Sequence, residues 1–120
     1  MTAMQSLQKF WEGFGLPAYN ELTVPDDATL PYITYEASED YFNSTLAQTA
    51  SLWYRSPSWT AIIDKEQEIA SFIGRGGRMI AFTDGTFWIK RGTPWAQRMS
   101  DPSDEMIRRI VLNIEIEFMQ

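Results

Sequence analysis

The run from Ile107 to Met119 constrains this chain more than any other stretch. Ile110, Leu112, Ile114, Ile116 and Phe118 occupy alternate positions. Arg109, Asn113, Glu115 and Glu117 fall between them, together with Val111 and Met119. A period of two places one set on each face of a β-strand, whereas a helix would scatter the same apolar residues around its axis. A strand of this length is about 40 Å long. It needs neighbours for its backbone and a cover for its apolar face. The chain is therefore committed to a sheet with one face packed and the other left to solvent or a partner.

The cover comes from two predicted helices. Thr2 and Gln5 stand at capping-box spacing, and Met4, Leu7, Phe10, Trp11 and Phe14 follow at helical intervals until Gly13, Gly15 and Pro17 stop the helix. Ser56-Pro57-Ser58 opens the second, with serine as cap and proline in the first turn. Its apolar stripe is Trp59, Ile62, Ile63, Ile69, Ala70 and Ile73, and Gly74 closes it. Leu16 to Pro31 is expected to be extended and irregular, because Pro17, Pro25 and Pro31 interrupt regular pairing. Tyr32–Ala37 and Gln48–Arg55 read as strands, with a turn or loop between them that includes Glu39, Asp40, Asn43 and Ser44. Met79–Thr83 and Thr86–Lys90 form a hairpin around Asp84-Gly85, and Arg91 to Glu105 is a long connection. The order is α-β-β-α-β-β-β. This predicts an α+β fold in which a mainly antiparallel sheet of about five strands carries two helices, chiefly on one face. Phe10, Trp11, Phe72, Phe82 and Phe118 are the expected aromatic core.

The 120 residues make one domain, 1–120, with a folded surface of about 6,700 Å² expected from size scaling. No apolar run is long enough to span a bilayer, and the first residues lack the basic-then-apolar order of a signal peptide. Cysteine and histidine are both absent. There is no thiolate, no disulfide frame, no Ser–His or Cys–His couple and no imidazole metal ligand. The expectation is a protein that is not an enzyme, holds no metal or cofactor, and works by meeting other proteins.

Charge is unevenly distributed. Residues 1–50 carry one base and seven acids, residues 51–100 seven bases and four acids, and residues 101–120 two bases and five acids. If the fold keeps these blocks apart, the basic surface of one copy can meet the acidic surface of the next, as in a head-to-tail ring. If the blocks intermingle, the asymmetry carries nothing.

Several constellations have a chemical and a plain reading. Arg75-Gly76-Gly77-Arg78 lacks the phosphate-loop pattern and reads as a helix stop. Arg75, Arg78, Lys90, Arg91 and Arg98 interleave with Phe87, Trp88 and Trp95, which is how single strands are gripped, but the acidic balance opposes that reading. Asp26-Asp27 and Glu39-Asp40 lack a calcium-loop pattern. Glu66 with Glu68, and Glu115 with Glu117, are acid–base couples only if buried. Trp95, with Met99 nearby, is either an anchor on its own sheet or a partner hot spot.

Longer runs carry a resemblance. Gly15-Leu16-Pro17-Ala18-Tyr19, Thr23-Val24-Pro25-Asp26-Asp27-Ala28, Leu30-Pro31-Tyr32-Ile33-Thr34-Tyr35, Tyr54-Arg55-Ser56-Pro57-Ser58-Trp59 and Trp88–Asp101 resemble segments of small tail-completion proteins of long-tailed phages and prophages. The Arg108–Phe118 strand fits too, and the likeness runs from about Phe14 to the end. The resemblance implies a tail terminator: a compact α+β subunit, assembled as a hexameric ring, that caps the tail tube, stops its growth and presents a surface to the head-completion protein. It implies location in the virion at the head–tail junction, after assembly in host cytoplasm. Phage DNA would be only passing cargo in the channel, where an acidic lining would repel it, and no membrane is involved. Expected partner contacts are Asp84, Gly85, Arg91, Trp95, Arg98 and Met99, with Arg91, Trp95 and Arg98 as anchors. Alternatives are a head-completion (stopper or adaptor) protein, a small carboxylate-based hydrolase, or a host-side inhibitor.

Overall fold

The structure, a computed structural model, describes residues 1–38 and 45–119. The turn expected around Glu39, Asp40, Asn43 and Ser44 lies outside the described residues. The elements run α1 (Ala3–Glu12), β1 (Ala18–Asn20), β2 (Tyr32–Tyr35), β3 (Thr45–Arg55), α2 (Thr60–Ile73), β4 (Arg78–Phe82), β5 (Gly85–Ser100) and β6 (Ile107–Met119). The strands form one sheet in the order β1-β2-β3-β6-β5-β4. Among the described residues only the β1–β2 pairing is parallel. The fold is α+β, as expected, and its 6,880 Å² of accessible surface fits the size scaling.

β6 sits at the centre, with β3 on one side and β5 on the other. Its alternation is realised: Ile110, Leu112, Ile114, Ile116 and Phe118 are buried, and the residues between them are half-buried on the other face. Ile33 and Tyr35 of β2, Leu52 of β3, and Phe87 and Ile89 of β5 join the same apolar layer. Both helices pack against it. α1 contributes Leu7, Phe10 and Trp11, and α2 contributes Ile62, Ile69 and Ile73. Each such side chain contributes roughly 1.5–3 kcal/mol through burial. The Trp11 indole N–H has no hydrogen-bond partner among the described residues. The capping box at Thr2 and Gln5 is formed in both directions.

The sheet curls around α1. Ser6 donates its hydroxyl to the Ala81 carbonyl of β4 at 3.1 Å, and Gln8 donates its amide to the Ala18 carbonyl of β1 at 2.8 Å. Two residues along a helix span about 200°, so the two sheet edges flank α1 on opposite sides.

Several expectations change. There are six strands, because Ala18–Asn20 pairs in parallel with β2 inside the stretch expected to be irregular. β2 stops at Tyr35, short of Ala37, and β3 begins at Thr45, ahead of Gln48. β5 does not end at Lys90 but runs to Ser100, so most of the expected connection from Arg91 is strand. Its Gly92 and Pro94 sit in a bulge, where Arg91 to Ala96 makes five steps against the two from Ile114 to Leu112. The hairpin turn is Thr83-Asp84, since Phe82 pairs with Gly85. The Met1 carbonyl accepts the Thr83 N–H at 2.7 Å and helps hold that turn. The α2 cap is Trp59, without a side-chain bond, and Ser58 Oγ accepts the Thr60 N–H from outside the helix. Phe72 is exposed rather than core.

Candidate interaction surface

β5 carries every residue expected to contact a partner except Asp84, which lies in the turn before it, and it does not bring them together. Asp84 and Gly85 stand at one end, Arg98 and Met99 near the other, and the bulge separates them. Asn113 closes the bulge by donating its amide to the Pro94 carbonyl at 2.9 Å. The approach is close at Gly92, where a Cβ would stand 3.0 Å from the Asn113 carbonyl oxygen and β6 would have to give by a few tenths of an ångström. Trp95, within the bulge, is half-buried against the core, and its indole N–H donates to Glu66 Oε2 of α2 at 3.2 Å. Arg98, three residues on, lies 5.6 Å from the Trp59 ring centre, and Arg108 lies 5.1 Å from the same ring. Arg108 also donates to the Ser56 and Pro57 carbonyls. Trp95 thus ties β5 to α2, Arg98 meets the α2 cap, and Met99 stands on the other face.

That other face bears no helix among the described residues. Across it runs a row that sequence reasoning did not assemble: Tyr19, Tyr32, Trp53, Arg109 and Met99, from β1, β2, β3, β6 and β5 in turn. Tyr19 and Tyr32 have ring centres 5.7 Å apart, and Tyr32 and Trp53 6.5 Å. The Arg109 guanidinium lies 4.5 Å over Trp53 and opposite Met99. The row is held in place: Trp53 Nε1 donates to Thr34 Oγ1 at 2.9 Å, and Arg109 donates to Ser51 Oγ from two nitrogens. Strand alternation sorts the side chains only within each strand. Only the lateral register aligns them.

At the β5–β6 turn, hydrogen bonds hold two carboxyls below the usual carboxylate range. Asp101 accepts the Ser103 hydroxyl and N–H, and Asp104 accepts the Met106 N–H and pairs with Arg55. Of the paired acids, Glu66 is engaged by Trp95, Glu68 by Lys65 at 3.1 Å and Glu117 by Lys90 at 3.7 Å. No cluster of three potential metal ligands occurs among the described residues. Among the described residues no helix is long and apolar enough to cross a membrane.

The first charge block stays apart from the other two, which meet through the Arg55–Asp104 and Lys90–Glu117 pairs. No Lys or Arg occurs between Phe10 and Tyr54. Glu21, Asp26 and Asp27 lie in the β1–β2 connection and Glu36 at the end of β2, so one edge of the sheet is acidic. Arg75 and Arg78 flank the start of β4, and Lys90, Arg91 and Arg98 lie along β5, so the other edge is basic. No protein-family model matches the chain, and no curated protein or solved structure is significantly similar to it.

Proposed function

We propose that this chain is a ring-forming tail-completion subunit of a long-tailed phage or prophage, acting as a tail terminator. The observation that carries this reading is the separation of charge onto two sheet edges. A subunit with an acidic and a basic edge is suited to heterologous contacts that repeat by rotation until they close. The resembling runs of sequence supply the expectation of a hexamer and of its place in the virion. The mechanism is occupancy rather than bond chemistry. One face of the ring matches the tube, and the other offers tube subunits nothing to add to. The open sheet face, with its preformed row of tyrosines, Trp53 and Arg109, suits one of the neighbours, tube or head-completion protein. DNA passes through the ring as cargo.

The test is particle assembly with and without the chain. Particles lacking it should carry tails of uncontrolled length, unjoined to heads, in electron micrographs. Purified protein added to growing tubes should fix their length. Normal tail length and normal joining in its absence would overturn the reading. Binding to tail-less heads in preference to tubes would move the chain to the head side of the junction, as a stopper or adaptor.

A further inference from the structure

The ring reading leaves open which surfaces meet, and two features on opposite flanks of α1 fit each other. The first is a knob. Leu22 is 86% exposed, the most exposed large apolar side chain among the described residues. It is held out by a built turn: its N–H donates to Asn20 Oδ1 at 3.0 Å, the Thr23 N–H to the Asn20 carbonyl at 2.9 Å, and the Glu21 N–H to the Tyr35 carbonyl at 2.9 Å. Glu21, Asp26 and Asp27 surround it in sequence.

The second is a groove of about 710 Å³ between α1, α2 and β4. Phe10, Phe14, Phe72 and Ile80 give it apolar walls, and Phe72 is 43% exposed. The Phe72 ring sits edge-on to Phe14 at 5.5 Å and carries the Arg78 guanidinium 4.0 Å from its centre. Lys9 lines the same groove. Neither Lys9 nor Arg78 is ion-paired among the described residues, whereas Glu68 on the same wall already holds Lys65. The groove is therefore apolar within and basic at its rim, and the knob is apolar and flanked by acids.

We infer that the groove receives the Glu21–Asp27 loop of a second copy, with Leu22 among Phe10, Phe14 and Phe72 and the flanking acids against Lys9 and Arg78. Such a contact is heterologous, because knob and groove are different surfaces. It repeats from copy to copy and ends only by closing. The inference rests on the ring reading and deepens it by naming the surfaces.

The absence of cysteine makes the test clean. A Thr23→Cys, Ser71→Cys double variant keeps Leu22 and the phenylalanine walls; oxidised at high protein concentration, it should give a ladder of disulfide-linked oligomers that stops at one size. Thr23 follows the knob residue, Ser71 lines the groove, and both are exposed, so near-ultraviolet circular dichroism should be unchanged. The control is Thr23→Cys with Met79→Cys, since Met79 is 54% exposed on the sheet face away from the groove. A ladder no stronger than the control overturns the inference. Leu22→Asp should weaken self-association by about tenfold or more in sedimentation, as expected for losing one buried leucine contact; unchanged association overturns it as well. Tube capping is scored separately. A ladder without capping keeps the contact and removes the tail role, whereas capping without a ladder does the reverse.

Discussion

Trp95 shows how a single side chain divides its work between fold and surface. As a tryptophan beside a proline and a glycine it has the composition of a partner anchor. Its ring packs on the core, and its N–H reaches Glu66 on α2. The bond joins a half-buried carboxylate to an indole donor, so its loss should cost about 1 kcal/mol. Removing the ring as well should cost roughly 2–4 kcal/mol, as for other large side chains truncated in partly collapsible sites. The expected outcome is a small fall in the urea midpoint for Trp95→Phe and a larger one for Trp95→Ala, measured on the isolated chain. A cycle with Glu66→Gln should show coupling between the two residues. If Trp95→Ala unfolds like the parent but fails to assemble, the residue is an interface anchor. Arg98 differs in that its guanidinium faces the Trp59 ring from an exposed position. It remains available to a neighbour.

At the scale of elements, the α2–β4 junction and the β5 bulge are where local signals meet long-range demands. Gly77 enters β4 with φ of +82°, and a Cβ there would lie 2.7 Å from the Ile89 carbonyl and 2.4 Å from Trp88 Nε1. The strand cannot shift without losing the Arg78–Ile89 register. Gly77→Ala should therefore destabilise the chain by more than the 1 kcal/mol or so that left-handed backbone alone imposes, read as a lowered urea midpoint. Gly76→Ala, with open space at its Cβ, is the matched control. The same junctions separate what was legible from what was not. The Thr2–Gln5 box, the α2 stripe and the β6 alternation are local patterns, and each appears where its residues place it. The strand β1 is three residues long and depends on a partner far along the chain, so no local periodicity marks it. Gly92 and Pro94 read as loop because they usually are loop, but β6 continues alongside and a bulge absorbs them. Phe72 carries the composition of a core residue, yet it faces the α1–α2 groove, and that orientation depends on how far apart the two helices settle. Of the candidate site, residue type marks Trp95 and Met99, but the sequence reads their segment as a connection, and the row from Tyr19 to Met99 needs the register of five strands.

For the molecule as a whole, the arrangement of charge decides how copies meet. The chain is acidic overall, with a net charge of −6, so copies repel at long range. Association has to come from orientation, with the basic edge of one copy facing the acidic edge of the next. Two or three exposed pairs at 0.2–1 kcal/mol each would contribute about 1–2 kcal/mol. Salt screens both effects, but the contact is at short range and the net repulsion is at longer range. The Debye length falls from about 10 Å at 0.1 M to about 3 Å at 1 M. Moderate salt should therefore first relieve repulsion and then weaken the edge contacts, giving self-association with a maximum at intermediate ionic strength. Reversing Arg91 and Arg98 together to glutamate leaves three bases against two new acids on that edge and so removes most of its positive charge. Association should then fall by about tenfold at low salt and recover steadily as salt is raised, with no maximum, in sedimentation-equilibrium measurements. A parent protein whose association rises steadily with salt would mean that apolar surface alone joins the copies, and the charged edges would have no part in setting their direction.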